Sequence, residues 1–168
     1  LKGPRHGGAN LKVMQMMEYI KDGVEDWKDE DAILEFLKKL VLRQEGDKSG
    51  LIYGIGHAVY TKSDPRAVIL KESALKLAQG TALEKEFELY QTVERLAPIA
   101  FAQIKGDVKA LCANVDFYSG FVYKMLRIPP DLFTPLFAIS RITGWCAPRI
   151  EEITTGGRIM RPAYKNVI

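Results

Sequence analysis

The sequence predicts an all-α protein. Apolar residues recur three and four apart along most of the chain, and Asp, Gly and Pro stand where such runs begin and end. No stretch alternates with period two for long enough to make a sheet, and no internal repeat is present. The 168 residues make one ordinary domain, able to bury roughly two-thirds of its unfolded surface.

The elements follow in order. After the loop "LKGPRHGGAN", Leu11, Val13, Met14, Met17 and Ile20 share a helical face, and Gly23 ends it. Asp29 caps a second helix, whose face is Ile33, Leu34, Leu37, Leu40 and Val41, with acids at the positive end of its dipole. "QEGDKSG" is a turn, and the glycines of "LIYGIGHAVY" make the next stretch a structured loop. Asp64 and Pro65 start a third helix, with Val68, Ile69, Ala74, Leu75 and Leu77 in register. A fourth carries Leu83, Phe87, Tyr90, Val93 and Leu96, and Pro98 bends or interrupts it. "NVDFYSGFVYKMLRI" and "PDLFTPLFAISRITGWCAPRIEEI" are apolar on more than one side, as buried helices are. "TTGGRIMRPAYKN" reads as an irregular tail.

Composition narrows the function. With 47% hydrophobic and 27% charged residues the chain looks soluble and globular, and no apolar run approaches the length of a membrane span. The net charge of +3 comes from interspersed charges without a basic stripe, which argues against nucleic acid as a partner. Cys112 and Cys146 stand far apart in apolar settings without metal-ligand spacing, so two buried thiols in a reduced, cytoplasmic protein are expected. The chain lacks an initiator Met and both ends look cut, as in a piece of something longer.

Four groups of residues could carry chemistry. His6 in "GPRHGGAN" and His57 in "GIGHAVY" both stand beside glycines, which let a ligand approach main-chain N–H groups. A single histidine is more often structural, but two in matching settings point to a site. Asp116 in "NVDFYSG" lies in an apolar stretch where an ionised carboxylate is costly unless paired or functional, and it reads equally as a helix-terminal residue or a base. Arg66, Arg141, Arg158 and Arg161 stand beside apolar or glycine-rich stretches. Arg141, inside an apolar helix, requires an anionic partner, either a structural Glu or a ligand carboxylate. Several converging arginines suit a di- or tricarboxylate.

"GPRHGGAN", "GIGHAVYTKSDPR", "NVDFYSG", "FAISRITGW" and "RIMRPAY" together resemble, in order and separation, successive signature segments of the citrate synthase family. The resemblance covers essentially the whole chain and implies the carboxyl-terminal two-fifths or so of such an enzyme. It implies a small mobile helical domain over residues 8–120, with residues 121–168 returning to a large domain whose remainder is absent. The implied reaction condenses acetyl-CoA with oxaloacetate and hydrolyses the citryl thioester, with no metal and no cofactor beyond the CoA substrate.

By that resemblance Asp116 takes a proton from the acetyl methyl group, and His6 donates a hydrogen bond to the thioester oxygen. His57 bonds the ketone oxygen of oxaloacetate. Arg66 and Arg141 hold substrate carboxylates, and Arg161 reaches the neighbouring subunit's site in a homodimer. Arg158 has no such match and is structural. Phe137 lies at the substrate pocket and Asn114 close to the base. The main chain of Leu51, Ile52, Tyr53, Gly54, Ile55 and Gly56 lines the CoA site. The family's upstream histidine is missing, so the isolated chain is expected to be inactive, with apolar surface on residues 131–153 exposed or covered by self-association. A 2-methylcitrate synthase using propionyl-CoA is the alternative within the class, and a non-catalytic acyl-CoA-binding or assembly domain the alternative outside it.

Overall fold

The computed structural model describes residues 8–106 and 111–156. Its helices are α1 (Ala9–Gly23), α2 (Glu30–Val41), α3 (Pro65–Ala78), α4 (Glu84–Lys105), α5 (Val115–Met125) and α6 (Phe133–Thr155), with a 3₁₀ turn at Pro130–Leu132. Among the described residues the only extended pairing is an isolated antiparallel bridge between Ile55 and Ala113. The protein is all-α.

The local signals act as the sequence implies. Asp29 Oδ1 accepts the Ala32 N–H at 3.0 Å to cap α2, whose first turn holds Glu30 and Asp31 and whose last holds Lys38 and Lys39. Asp64 Oδ1 accepts the Arg66 N–H at 3.0 Å, with Pro65 at the first position of α3. Asn114, not Asp116, caps α5: its Oδ1 accepts the Asp116 N–H at 3.0 Å.

The core lies among α1 to α5. Phe87 and Tyr90 from α4 meet Phe117, Tyr118 and Phe121 from α5 in a cluster of tilted and edge-on rings, each ring 1% exposed or less. Glu86, 6% exposed, accepts from Lys124 Nζ at 2.7 and 2.8 Å and has Lys21 Nζ 3.6 Å away, which ties α1, α4 and α5 together. Glu94 similarly joins Lys71 of α3 to the Tyr118 hydroxyl of α5.

Several expectations are corrected. Pro98 does not interrupt α4, which runs through it. Buried Val93, Leu96, Ala97, Ala100 and Phe101 lie on both sides of the proline, and their burial outweighs the ~3 kcal/mol that an interior proline costs a helix. In α3 the core-facing residues are Ala67, Ala74 and Ala78, while Val68, Ile69 and Leu75 are exposed. Small side chains let α3 pack close to α5.

α6 is the largest departure. Within it only Phe133, stacked edge-on to Tyr123 at 5.0 Å, is buried. Ile139, Ile142, Trp145, Ile150 and Ile153 are all about half exposed or more. Exposure on residues 131–153 is thus observed, and Cys146 on this helix is exposed while Cys112 is only half-buried. Residue 120, the expected division between domains, lies inside α5. Among the described residues no helix is long and apolar enough to cross a membrane.

Candidate active site

Three chain segments converge at one end of the helical core: the loop from Leu51 to Arg66, the amino end of α5, and the first turns of α6. The loop is pinned to the start of α5 by backbone bonds, from the Gly56 N–H to the Cys112 carbonyl at 2.7 Å and from the Asn114 N–H to the Gly54 carbonyl at 2.8 Å. The Asn114 Nδ2 donates to the Gly56 carbonyl at 2.8 Å while its Oδ1 caps α5. One carboxamide therefore joins the glycine loop to the helix that carries Asp116.

Gly54 makes the close approach possible. Its φ is 79°, and a Cβ there would stand 2.8 Å from the Val13 side chain and 2.9 Å from the Phe117 Cα. Replacing Gly54 by Ala is expected to destabilise the protein by about 1–3 kcal/mol, as overpacking does, and to displace the amino end of α5. Urea unfolding checks the first effect and amide chemical shifts of residues 114–118 the second. Of the neighbouring side chains Ile52 is buried, at 2% exposed, Tyr53 is half-buried with its hydroxyl donating to the exposed Asp47 at 2.6 Å, and Leu51 is half exposed.

The same loop fixes the tautomer of the neutral His57 ring. Its Nδ1 accepts the backbone N–H groups of Val59 and Tyr60, both at 3.0 Å. In the neutral ring the proton therefore sits on Nε2. That nitrogen faces Arg66 Nη2 at 3.3 Å. Both are donors, and two donors brought this close are completed by an oxygen that accepts from each.

Arg66 is held in place by Asp64, through Nε and the same Nη2 that faces His57. Its Nε donates to Asp64 Oδ1 at 3.0 Å and its Nη2 to Asp64 Oδ2 at 2.7 Å. The Asp64 side chain is fully buried, and these bonds from Arg66 hold its carboxyl below the usual value of 3.8. Asp64 is thus the helix cap and the clamp on the guanidinium together.

Asp116 occupies the first turn of α5. Burial pushes its pKa up from 3.8, opposed by Arg66 and reinforced by Asp64. It lines a cleft of about 190 Å³ with Gly8, Ala9 and Asn10 from the amino end of α1 and Phe133, Thr134 and Phe137 from α6. A second cleft of about 280 Å³ is lined by Arg66, Leu70, Val115, Ser119, Tyr123, Phe137, Ser140 and Arg141. Phe137 is common to both, so the cleft lined by the partly desolvated carboxylate adjoins the cleft lined by the two guanidinium groups.

Arg66, Asp116, Phe137 and Arg141 are accordingly brought together around two adjoining clefts. His57 reaches the group through Arg66, and Asn114 stands behind it. Arg141 is exposed, with no carboxylate in salt-bridge range among the described residues. His6, Arg158 and Arg161 lie outside the described residues. Sequence reasoning missed Ser119, Tyr123 and Ser140, the polar lining of the larger cleft, and the Asp64–Arg66 clamp. The signal for Ser119 and Ser140 was present: each shares a helix with a candidate residue, three residues after Asp116 and one before Arg141. Among the described residues no cluster of His, Cys, Asp and Glu could hold a metal ion.

Comparison with known proteins completes the picture. The family model "Citrate synthase, C-terminal domain" matches residues 1–163. The chain is 38% identical over 162 residues to the citrate synthase of Synechocystis, covering 96% of this chain and 36% of that protein. Against citrate synthase 2 of Bacillus subtilis it is 40% identical, covering 96% of this chain and 38% of the relative. To the 2-methylcitrate synthase of Shewanella oneidensis it is 36% identical, covering 97% and 38%. A solved citrate synthase from Thermoplasma acidophilum, in ternary complex with carboxymethyl coenzyme A and oxaloacetate, superposes with a TM-score of 0.69 at 33% identity, over 99% of this chain and 40% of that one. The chain thus spans well under half the length of these relatives, and over the part it spans it belongs to the citrate synthase family.

Proposed function

We propose that the protein carrying this chain condenses acetyl-CoA with oxaloacetate and hydrolyses the resulting thioester to citrate and CoA. The observation that carries this reading is the juxtaposition of two fixed donors, His57 Nε2 and Arg66 Nη2, with a partly desolvated carboxylate in an adjoining cleft that shares Phe137. An α-ketoacid dianion suits the first arrangement and abstraction of a weakly acidic α-proton suits the second.

In this reading Asp116 takes a proton from the carbon next to the thioester carbonyl, and the electron pair moves onto the carbonyl oxygen. Burial makes the carboxylate a stronger base than in water, and the nearby guanidinium opposes that rise. His6 donates to the thioester oxygen. The enol carbon attacks the ketone, whose oxygen is held by His57 Nε2–H and protonated as the new bond forms. Arg66 and Arg141 hold the carboxylates, and Arg161 acts on the neighbouring subunit of a homodimer. Water then cleaves the thioester and releases the CoA thiol.

Asn114 acts as the joint that sets the distance between the glycine loop and the base. Its carboxamide is engaged at both ends. The main chain of residues 51–56 receives CoA, in a reading supported by the burial of the Ile52 side chain and the positive φ of Gly54 and Gly56. Residues 8–120 with the rest of α5 move as a small domain that closes over the substrates, and residues from 126 onward belong to the large one. The protein works in the cytoplasm without a metal or further cofactor, and the isolated chain does not turn over.

A second reading has support in the 2-methylcitrate synthase relative: the acyl substrate is propionyl-CoA. One methylene is worth about 1–3 kcal/mol of discrimination in an apolar pocket. Free thiol release by the full-length protein, with oxaloacetate and either acyl-CoA, decides between them. The first reading expects kcat/KM for acetyl-CoA to exceed that for propionyl-CoA by about 10-fold or more. The reverse ratio establishes the second, and release that does not depend on oxaloacetate removes both.

A further inference from the structure

α1 begins without a side-chain cap. Gly8 stands at its N-cap in the left-handed region, and the first helical bond runs from the Lys12 N–H to the Gly8 carbonyl at 2.9 Å. The N–H groups of the first turn therefore lack helical partners, and they carry the positive end of the dipole of a 15-residue helix. Gly8, Ala9 and Asn10 line the same cleft as Asp116.

Asn10 supplies an independent observation. It is only 5% exposed, the second residue of α1, and among the most buried polar residues of those described. Its Oδ1 accepts the Leu11 N–H at 2.9 Å, which leaves the amide nitrogen as the end of the carboxamide able to donate. Among the described residues that nitrogen has no hydrogen-bond partner, yet no fully buried polar side-chain atom goes unpaired. Asn10 lines the cleft together with two other polar residues, Asp116 and Thr134.

A buried amide donor at an uncapped helix start, across a small cleft from a base, is the arrangement that stabilises an oxyanion formed when the base removes a neighbouring proton. We propose that Asn10, with the uncapped amino end of α1, is a catalytic residue that donates a hydrogen bond from Nδ2 to the thioester oxygen as Asp116 enolises the acyl-CoA. The balance is simple. The α C–H bond breaks, its proton goes to the Asp116 carboxylate, its electron pair forms the C=C bond, and the carbonyl π pair becomes the oxygen lone pair that accepts from Asn10. This inference rests on the condensation reading and adds a donor to it.

The test uses the full-length protein and follows exchange of acyl-CoA α-protons with solvent deuterium, together with condensation kinetics. Asn10→Ala removes the donor and the bond to Leu11. Asn10→Asp keeps an oxygen for the Leu11 N–H and places a negative charge at the positive helix end, so it preserves folding while lacking the donor. A carboxylate there also repels Asp116 and shifts the pH profile upward, so rates are compared on the plateau of each profile.

Both variants are expected to lose about 100-fold or more in exchange and in kcat, with KM for acyl-CoA within about threefold, and Asn10→Asp is expected to melt no lower than the unsubstituted protein. If Asn10→Asp regains both stability and rate, the residue is structural and the inference is overturned. If both variants exchange within about threefold of the unsubstituted protein, it is overturned likewise. An unsubstituted protein that releases thiol with oxaloacetate shows that such a failure belongs to Asn10 alone, and one that does not removes the underlying reading as well.

Discussion

Replacing Asp116 by Asn is expected to lower kcat of the full-length protein by about 10³–10⁴-fold, the upper range for loss of a positioned base, with little change in KM for either substrate. The Asn side chain is nearly isosteric, and the N-cap of α5 is supplied by Asn114, so the helix survives. Stability moves the other way. Burial raises the pKa of Asp116 above its unfolded value of 3.8, so above that value the ionised carboxylate opposes folding, and the neutral amide relieves the opposition. A variant that is nearly inactive and at neutral pH melts at or above the unsubstituted protein is the expected signature, read from thiol release and a thermal scan. A drop in melting temperature with the rate preserved would assign Asp116 a purely structural role. The raised pKa also moves the acidic limb of the pH–rate profile upward from 3.8.

Arg66 is expected to show the opposite pattern, with binding and stability falling together. Arg66→Met removes the donor that faces His57 and leaves the fully buried Asp64 carboxylate without its clamp. The expected cost is about 2–3 kcal/mol of folding stability, below the figure for a fully buried pair because the guanidinium is 42% exposed. KM for oxaloacetate is expected to rise by at least about 10-fold, since a charge-assisted bond contributes roughly 1.5–3 kcal/mol. Adding Asp64→Asn to Arg66→Met restores stability and leaves KM high, which separates the two roles.

The pH dependence of the clamp follows from the same pair. The folded pKa of Asp64 is depressed below 3.8, so its stabilisation is fully present above that value and is lost as pH falls through the folded one. Melting temperature measured from pH 5 downward is expected to fall less steeply in the double variant than in the unsubstituted protein.

Much of this was legible in the sequence because it depends on local chemistry. Asp29 and Asp64 cap helices whatever lies around them, and Gly54 announces a backbone that no other residue tolerates at that distance from Phe117. Arg66, Asp116 and Arg141 stood out as charged groups in apolar or glycine-rich stretches, Phe137 came only from the family resemblance, and all four line adjoining clefts.

What the sequence hid is set by tertiary packing. Periodicity could not tell that α3 presents Ala67, Ala74 and Ala78 to the core, because Val68 and Ile69 lie on an equally regular stripe and closeness to α5 selects the small residues. Nor could it tell that a proline would ride inside α4, where the flanking residues are buried on both sides. The all-round apolar character of α6 signals burial, and in this chain the helix is exposed because only Tyr123 and its neighbours cover its first turn. The role of Asp64 as a clamp, and of Asn10 as a donor, depends on which atoms the fold leaves facing each other.

The most direct measurement is product analysis after the full-length protein is incubated with methyl-labelled acetyl-CoA and oxaloacetate. The expected result is labelled citrate and free CoA in equal amounts, with neither formed by Asp116→Asn. Labelled acetate in place of citrate, or undiminished citrate from the Asp116 variant, would contradict it.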